Sequence, residues 1–522
     1  MAALLAAQIG YASCPVIKVI PYPQELKITG DNFTVNNGFR IKAAKQMKDT
    51  QTYLESVVRE WNVWSGSKLR KQSKALPVKL IYDKTIENGT EAYHLSVKKT
   101  GVEIRGSSSA GCFYGVQTLK QLISKNGNTI SLPQVEINDY PKFAWRSYML
   151  DESRYFYGKD FVLKILDELA ALKINKFHWH LTDDPGWRIE IKKYPELTKV
   201  GAYRKDSQIG GRKSEKRSGV PHGGFYTQDQ IREIIQYASN RNIEIIPEIE
   251  MPGHSGAAIA SYAWLGMKGK KFDVTVDFKS LDSYNITKPE VIQFLHEVLD
   301  EVCDLFPSKI IHIGGDEVQF DSWIESADIQ AYMKQYNLNS PADCQIHFTN
   351  AISNYLAAKG KRMMGWNEIL GKNVHESAKA DDFVVKSTLA KETIIHFWKG
   401  DVSLITEAAQ KGYSIVNSLH TQTYLDYNYK TTPLKKMYQF MPVPSGLEAK
   451  YQKNIIGVGA QMWTEWTPDY KDVEYKTFPR IAAIAEVGWS GSRDYDDFVS
   501  RLKRIGEGWT ERGIYFPKEE IK

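Results

Sequence analysis

At 522 residues the chain exceeds one ordinary core, and its length gives roughly two to four domains, with a large barrel as an allowed exception. Apolar residues make up 42% and charged residues 25%, ordinary globular usage that excludes extensive disorder. The net charge of +6, from 68 basic and 62 acidic residues with no long Lys/Arg run, excludes a dedicated nucleic-acid surface.

In chain order, residues 1–14 (MAALLAAQIGYASC) are apolar and end in small residues before Cys14, like the end of a secretory or lipoprotein leader without its basic start. Export to the periplasm, the outer membrane or the medium is the expectation, with Cys14 as a point for a lipid anchor. No later run of about 18 apolar residues predicts a membrane span. Four cysteines, Cys14, Cys112, Cys303 and Cys344, form no CxxC pair, and the last three read as small buried residues. Residues 15–138 read as a mixed α/β domain, with strands around Phe33-Thr34-Val35 and Val102-Glu103-Ile104. A helix over 109–125 carries Phe113, Val116, Leu119 and Leu122 at helical spacing.

From 139 to 522 the pattern changes to short apolar strands alternating with helices. Strands are predicted at 144–151, 175–182, 242–250, 309–314, 361–366, 393–398, 413–419 and 455–463. Helices are predicted at 160–173, 228–240, 288–305, 342–358, 402–411 and 479–488. Eight sequential βα units make a (β/α)8 barrel a better fit than an open doubly wound sheet, which also lacks its GxGxxG. Polar inserts at 203–225 and 265–286 follow the second and third strands and belong on the catalytic face.

Reactive groups cluster at the carboxyl ends of these strands, where barrels carry their chemistry. Arg154 follows the first strand; His178, His180, Asp183 and Asp184 end the second; Glu248, Glu250 and His254 end the third. The fourth strand runs into His312-Ile313-Gly314-Gly315-Asp316-Glu317-Val318, in which two glycines allow a sharp turn before two acids. Alone, that stretch fits a solvated turn as well as a pair of carboxyls dividing labour. Trp366, Trp398 and Trp463 end the fifth, sixth and eighth strands, and Tyr424, Asp426 and Glu465 stand nearby, a set that fits a sugar site with aromatic walls. Arg154 serves equally as a partner of Asp151 or Glu152 or as a binder of substrate hydroxyls.

The ordered motifs WRSYMLDESR, FHWHLTDDPGWRIEIKKYPELT, PEIEMPGH, HIGGDEV, GWNEIL, YLD and GAQMWTEW resemble glycoside hydrolase family 20, the exo-acting β-N-acetylhexosaminidases, over about residues 18–500. The resemblance implies an α/β domain before a catalytic (β/α)8 barrel, a retaining and substrate-assisted mechanism, and no cofactor or metal. It implies Glu317 as general acid/base and Asp316 as the residue that orients the substrate's 2-acetamido group. Tyr424 would contact the acetamido oxygen, and Trp366, Trp398 and Trp463 would wall its pocket. Arg154, Asp426 and Glu465 would bind hydroxyls, while Asp183 and His254 would support the acid. The implied partners are a glycan ending in a β-linked N-acetylhexosamine and, in an oligomer, a second copy of the chain.

Tyr155 departs from the family, which has His after this Ser-Arg, and the two inserts match no motif. Two rivals stand beside this reading. One is a metal-dependent hydrolase using His178, His180, His254, His312 and Asp316. The other is a non-catalytic sugar binder using the same tryptophans.

Overall fold

A computed structural model describes residues 17–64, 74–372 and 385–521. The leader-like segment and Cys14 lie outside the described residues. The chain divides into two compact units, one comprising residues up to 142 with 489–507, the other 143–488 with 508–522.

The first unit is a mixed sheet whose strands follow the order 25–35, 129–139, 93–98, 101–106, 76–82 and 39–43, with 124–126 paired to 129–139. Strands Tyr93–Lys98 and Gly101–Gly106 pair antiparallel, and Val97, Val102 and Ile104 are fully buried. Helix Ser109–Leu122 starts where Ser108 accepts the Gly111 N–H at 3.3 Å, and it buries Phe113, Val116, Leu119 and Leu122. Helix Lys48–Trp64, not expected from the sequence, buries Leu54, Val57, Val58 and Trp61 on one face. One assignment needs correction: residues 489–507, read as barrel, group with this unit. Arg501 donates to the Val19 carbonyl at 2.9 Å, Arg504 to that of Ile123 at 2.5 Å, and Trp489 Nε1 to Asp139 at 2.8 Å.

The second unit is a closed parallel barrel of eight strands. They are β1 (Trp145–Asp151), β2 (Lys176–His180), β3 (Glu244–Glu248), β4 (Ile310–His312), β5 (Arg362–Trp366), β6 (Ile394–Phe397), β7 (Ser414–Asn417) and β8 (Ile455–Met462). Each pairs with the next, and β8 closes on β1 from Gly457↔Trp145 to Met462↔Leu150. Every strand lies within an expected segment. The helices between them also match, among them Gln228–Ser239, which opens with a Thr227–Gln230 capping box, and Pro289–Leu305. Between β7 and β8, where no helix is among those expected, three short helical turns occur: His420–Thr423, Leu434–Tyr438 and Ala449–Gln452.

The barrel interior is layered. Trp145, Ile246, Met364, Ile394 and Val416 form an apolar cluster. Two residues further along the chain from each, the same inward face carries Ser147, Glu248, Trp366, His396 and Ser418, all buried. Hydrophobic filling thus closes the barrel beneath a polar layer on which the site rests. Cys112 and Cys344 are buried as expected, whereas Cys303 is only half-buried. Among the described residues, no helix is long and apolar enough to cross a membrane.

Candidate active site

After His312 the chain turns through Gly314 (φ +66°) and Gly315 (φ +88°) into the two acids. A Cβ on Gly314 would lie 1.8 Å from Glu250 Oε2, and one on Gly315 would lie 2.5 Å from Ile369 Cγ2. The turn therefore passes directly over the Glu250 carboxyl, where no side chain fits. Glu317 (φ +50°) and His254 (φ +46°) are themselves left-handed, at roughly 1–2 kcal/mol each. Such strain at adjoining polar residues is a mark of function.

The two acids diverge. The Asp316 side chain is 10% exposed and that of Glu317 is 47% exposed, yet both come 3.7 Å from His254 Nε2. Nδ1 of the same imidazole meets Asp183 Oδ1 at 3.1 Å and Asp184 Oδ2 at 3.2 Å. Burial opposes charge on His254, but Asp183 and Asp316 outweigh it and hold the ring protonated well above the usual histidine range. Burial likewise pushes the Asp316 carboxyl up to about 7; His254 opposes the rise, and Glu368 and Glu317 add to it. Burial, with Asp316 and Glu248 beside it, holds Glu250 well above the carboxylate range.

Arg154 extends the network. Its Nη2 lies 2.7 Å from Asp183 Oδ2 and 3.8 Å from Glu465 Oε1, its Nη1 lies 3.3 Å from Asp151 Oδ2, and its guanidinium sits 5.0 Å above the Trp463 ring. Of the two acids expected as alternatives, Asp151 is the partner. Glu152 instead accepts from Trp179, Tyr226 and the Tyr157 N–H. Asp426 is pushed up to about 7 by burial and by Glu465, against Lys476.

Four aromatic rings make a box beside the acids. Trp398 and Tyr424 are nearly parallel at 6.0 Å, Trp366 lies 5.8 Å from Trp463, and Tyr424 lies 6.3 Å from Trp463. Trp366 Nε1 donates to Glu248 and Trp398 Nε1 to Glu368, so both indoles are fixed in orientation. Asp316 lies close enough to Tyr424 to act on its charge.

The ligand set of the metal rival does not assemble. Among the described residues, His178 and His312 group with His396, His180 with Glu248 and Glu250, and His254 with Asp183 and Asp184, while Asp316 falls in none of these groups. Sequence reasoning gave no role to Glu248, Glu250, Asp184 or Glu368, and it missed His396. Position at a strand end is the signal that marks the first three, and Glu368 stands two residues after Trp366 in GWNEIL.

The inserts form one wall. Tyr203–Arg204 pairs with His222–Gly223, the Gln208 N–H donates to the Val276 carbonyl at 2.8 Å, and Lys205 and Arg217 pair with Asp273 and Asp277. Tyr155 points into this wall, its ring 4.9 Å from His222 and 5.9 Å from Phe278.

The family described as "Glycosyl hydrolase family 20, catalytic domain" matches residues 143–492, and its "domain 2" matches residues 16–140. The chain belongs to glycosyl hydrolase family 20. Within family 20 it is similar to a beta-hexosaminidase of Porphyromonas gingivalis, 34% identical over 509 residues, covering 93% of this chain and 62% of that protein. It therefore spans less than two-thirds of that relative. A beta-hexosaminidase of Vibrio furnissii is 32% identical, with 92% of this chain and 78% of that protein covered. Among solved structures, the family 20 exo-beta-N-acetylglucosaminidase of Vibrio harveyi in complex with N-acetylglucosamine superposes with a TM-score of 0.81 at 29% identity, covering 97% of this chain and 79% of that chain. The catalytic-domain match spans all eight barrel strands and every residue of the site.

Proposed function

We propose that this chain is an exo-acting β-N-acetylhexosaminidase that removes terminal non-reducing GlcNAc or GalNAc with retention of configuration. The observation that carries the reading is the divergence of Asp316 and Glu317 from one imidazole, one acid buried beside an aromatic box and the other open to solvent. A retaining pair of protein carboxyls would flank the bond about 5 to 5.5 Å apart, and family 20 is an exception because its nucleophile belongs to the substrate.

The box of Trp366, Trp398, Tyr424 and Trp463 encloses the acetamido group, with the Tyr424 hydroxyl on its carbonyl oxygen. Asp316 accepts the acetamido N–H and holds the carbonyl oxygen in near-attack position on the anomeric carbon. As that oxygen attacks, Glu317 gives its proton to the leaving oxygen, and an oxazolinium forms. Positive charge developing on the ring favours the ionised form of Asp316, reversing the effect of its burial. Glu317, now a carboxylate, serves as base for hydrolysis. Arg154, Asp426 and Glu465 hold the sugar hydroxyls, and Asp183 aligns Arg154 with His254. The leader-like residues 1–14 support an exported enzyme.

A panel of nitrophenyl β-glycosides tests this, with the product anomer followed by NMR. Rapid release from N-acetylhexosaminides, none from the β-glucoside, and a β product are expected. An α product, or equal rates on the glucoside, would overturn it.

A further inference from the structure

Glu248 ends β3 in the barrel centre and is fully buried. Each of its oxygens meets two nitrogens. Oε1 lies 2.8 Å from Trp366 Nε1 and 2.9 Å from His312 Nδ1; Oε2 lies 2.6 Å from His180 Nδ1 and 2.9 Å from His178 Nε2. Trp366 Nε1 and His180 Nδ1 are hydrogen-bonded to Glu248, whereas His178 Nε2 lies close without a hydrogen bond and His312 Nδ1 accepts the Gly314 N–H at 3.0 Å.

Two of these partners lead outward to different halves of the site. Trp366 is a wall of the aromatic box. His180 presents its Nε2 3.0 Å from Asp183 Oδ2, and Asp183 in turn holds Arg154 Nη2 at 2.7 Å and His254 Nδ1 at 3.1 Å. Carboxyl groups and imidazoles alternate along this line from Glu248 through His180, Asp183 and His254 to the two acids. We infer that Glu248 is a positioning residue that couples the two halves: through Trp366 it sets which acyl group the box accepts, and through His180 and Asp183 it sets the placement and charge of His254 behind Glu317.

This rests on the proposed hydrolase reading. The remaining charged neighbours are few. His178, His180 and His312 face Glu248, and Glu250 lies 4.0 Å from His180. Asp183, Asp184, Asp316 and Glu317 face His254. The contact path from Glu248 to His254 runs through His180 and Asp183, and Glu248 also acts directly on the charge of Asp316.

The experiment uses the full chain with Glu248→Gln, Trp366→Phe and His180→Gln, each given two readouts. One is the kcat/KM ratio between N-acetyl and N-propionyl nitrophenyl β-glucosaminides; the other is the pH profile of kcat/KM on the N-acetyl substrate. Trp366→Phe removes the N–H together with the five-membered ring and should lower acyl discrimination by about tenfold, the scale of one methylene in a fitted pocket, leaving the profile in place. His180→Gln should move a limb of the profile by about one pH unit through loss of a charge in the line; its ring also packs edge-on against Trp463 at 5.0 Å, and the acyl ratio should change less than in Trp366→Phe. Glu248→Gln should do both. Uniform losses with both readouts unmoved would overturn the coupling. If Glu248→Gln does not fold, the outer variants decide: the acyl ratio moving mainly in Trp366→Phe and the pH profile mainly in His180→Gln supports the coupling, and either variant moving both readouts equally or neither refutes it. Wild-type enzyme inert on the N-acetyl substrate sinks the hydrolase reading, whereas active wild type with unmoved readouts sinks the coupling alone.

Discussion

Replacing Asp316 by Asn should stabilise the protein, and more so as the pH rises. Burial moves this carboxyl from 3.8 to about 7. Because the folded-state value lies above the unfolded one, its contribution to stability is full below about pH 4 and is lost as pH rises through about 7. The complete loss amounts to about 4 kcal/mol at 1.36 kcal/mol per tenfold, of which about 2–3 kcal/mol falls between pH 5 and pH 8. The amide has the same shape and never ionises, so its advantage over the parent should widen by that amount across the interval. Denaturant unfolding followed by tryptophan fluorescence at pH 5 and pH 8 measures it, with turnover falling in the same variant because the charge that opposes the oxazolinium is gone. A midpoint difference that is equal at the two pH values, or larger at pH 5, would refute the reasoning. The gain in stability against the loss in activity would show that folding tolerates this acid for its chemistry.

Glu317→Gln should slow turnover of sugar leaving groups by about 10²- to 10⁴-fold with KM little changed, and slow nitrophenyl leaving groups far less, as steady-state kinetics on both substrates will show. Gly314→Ala puts a methyl into the Glu250 carboxyl at a left-handed position. It should cost at least about 1–2 kcal/mol in a thermal melt and lower kcat through the displaced acids. Activity should survive exhaustive dialysis against a chelator, and a loss restored by zinc would revive the metal reading.

The barrel was legible because each strand is a short apolar run and each connecting helix carries apolar residues at 3.6 spacing, both local patterns. Helix Lys48–Trp64 has the same spacing in Leu54, Val57, Val58 and Trp61, so its omission was of the reading and not of the signal. The placement of residues 489–507 was not legible, since it depends on Arg501 reaching Val19 across most of the chain. The site divides in the same way. Strand ends mark Arg154, Asp183, His254, Asp316 and the tryptophans, because a barrel turns position along a strand into position at the rim. The role of Glu248 is invisible along the chain: only closure of the barrel brings His178 of β2, His312 of β4 and Trp366 of β5 around it. The wall made by the inserts rests on contacts such as Gln208 to Val276, which polar loop composition does not announce.

The unequal exposure of the neighbouring acids bears on the second half of the reaction. In the proposed mechanism, with Asp316 enclosed and Glu317 open, solvent would reach the intermediate from the side that the departing group has just vacated. The incoming water then takes the leaving group's place on the same face, so stereochemistry follows from access as much as from the intermediate. An added alcohol can enter by that same door, and the product would then be a new β-glycoside made by transfer in place of hydrolysis.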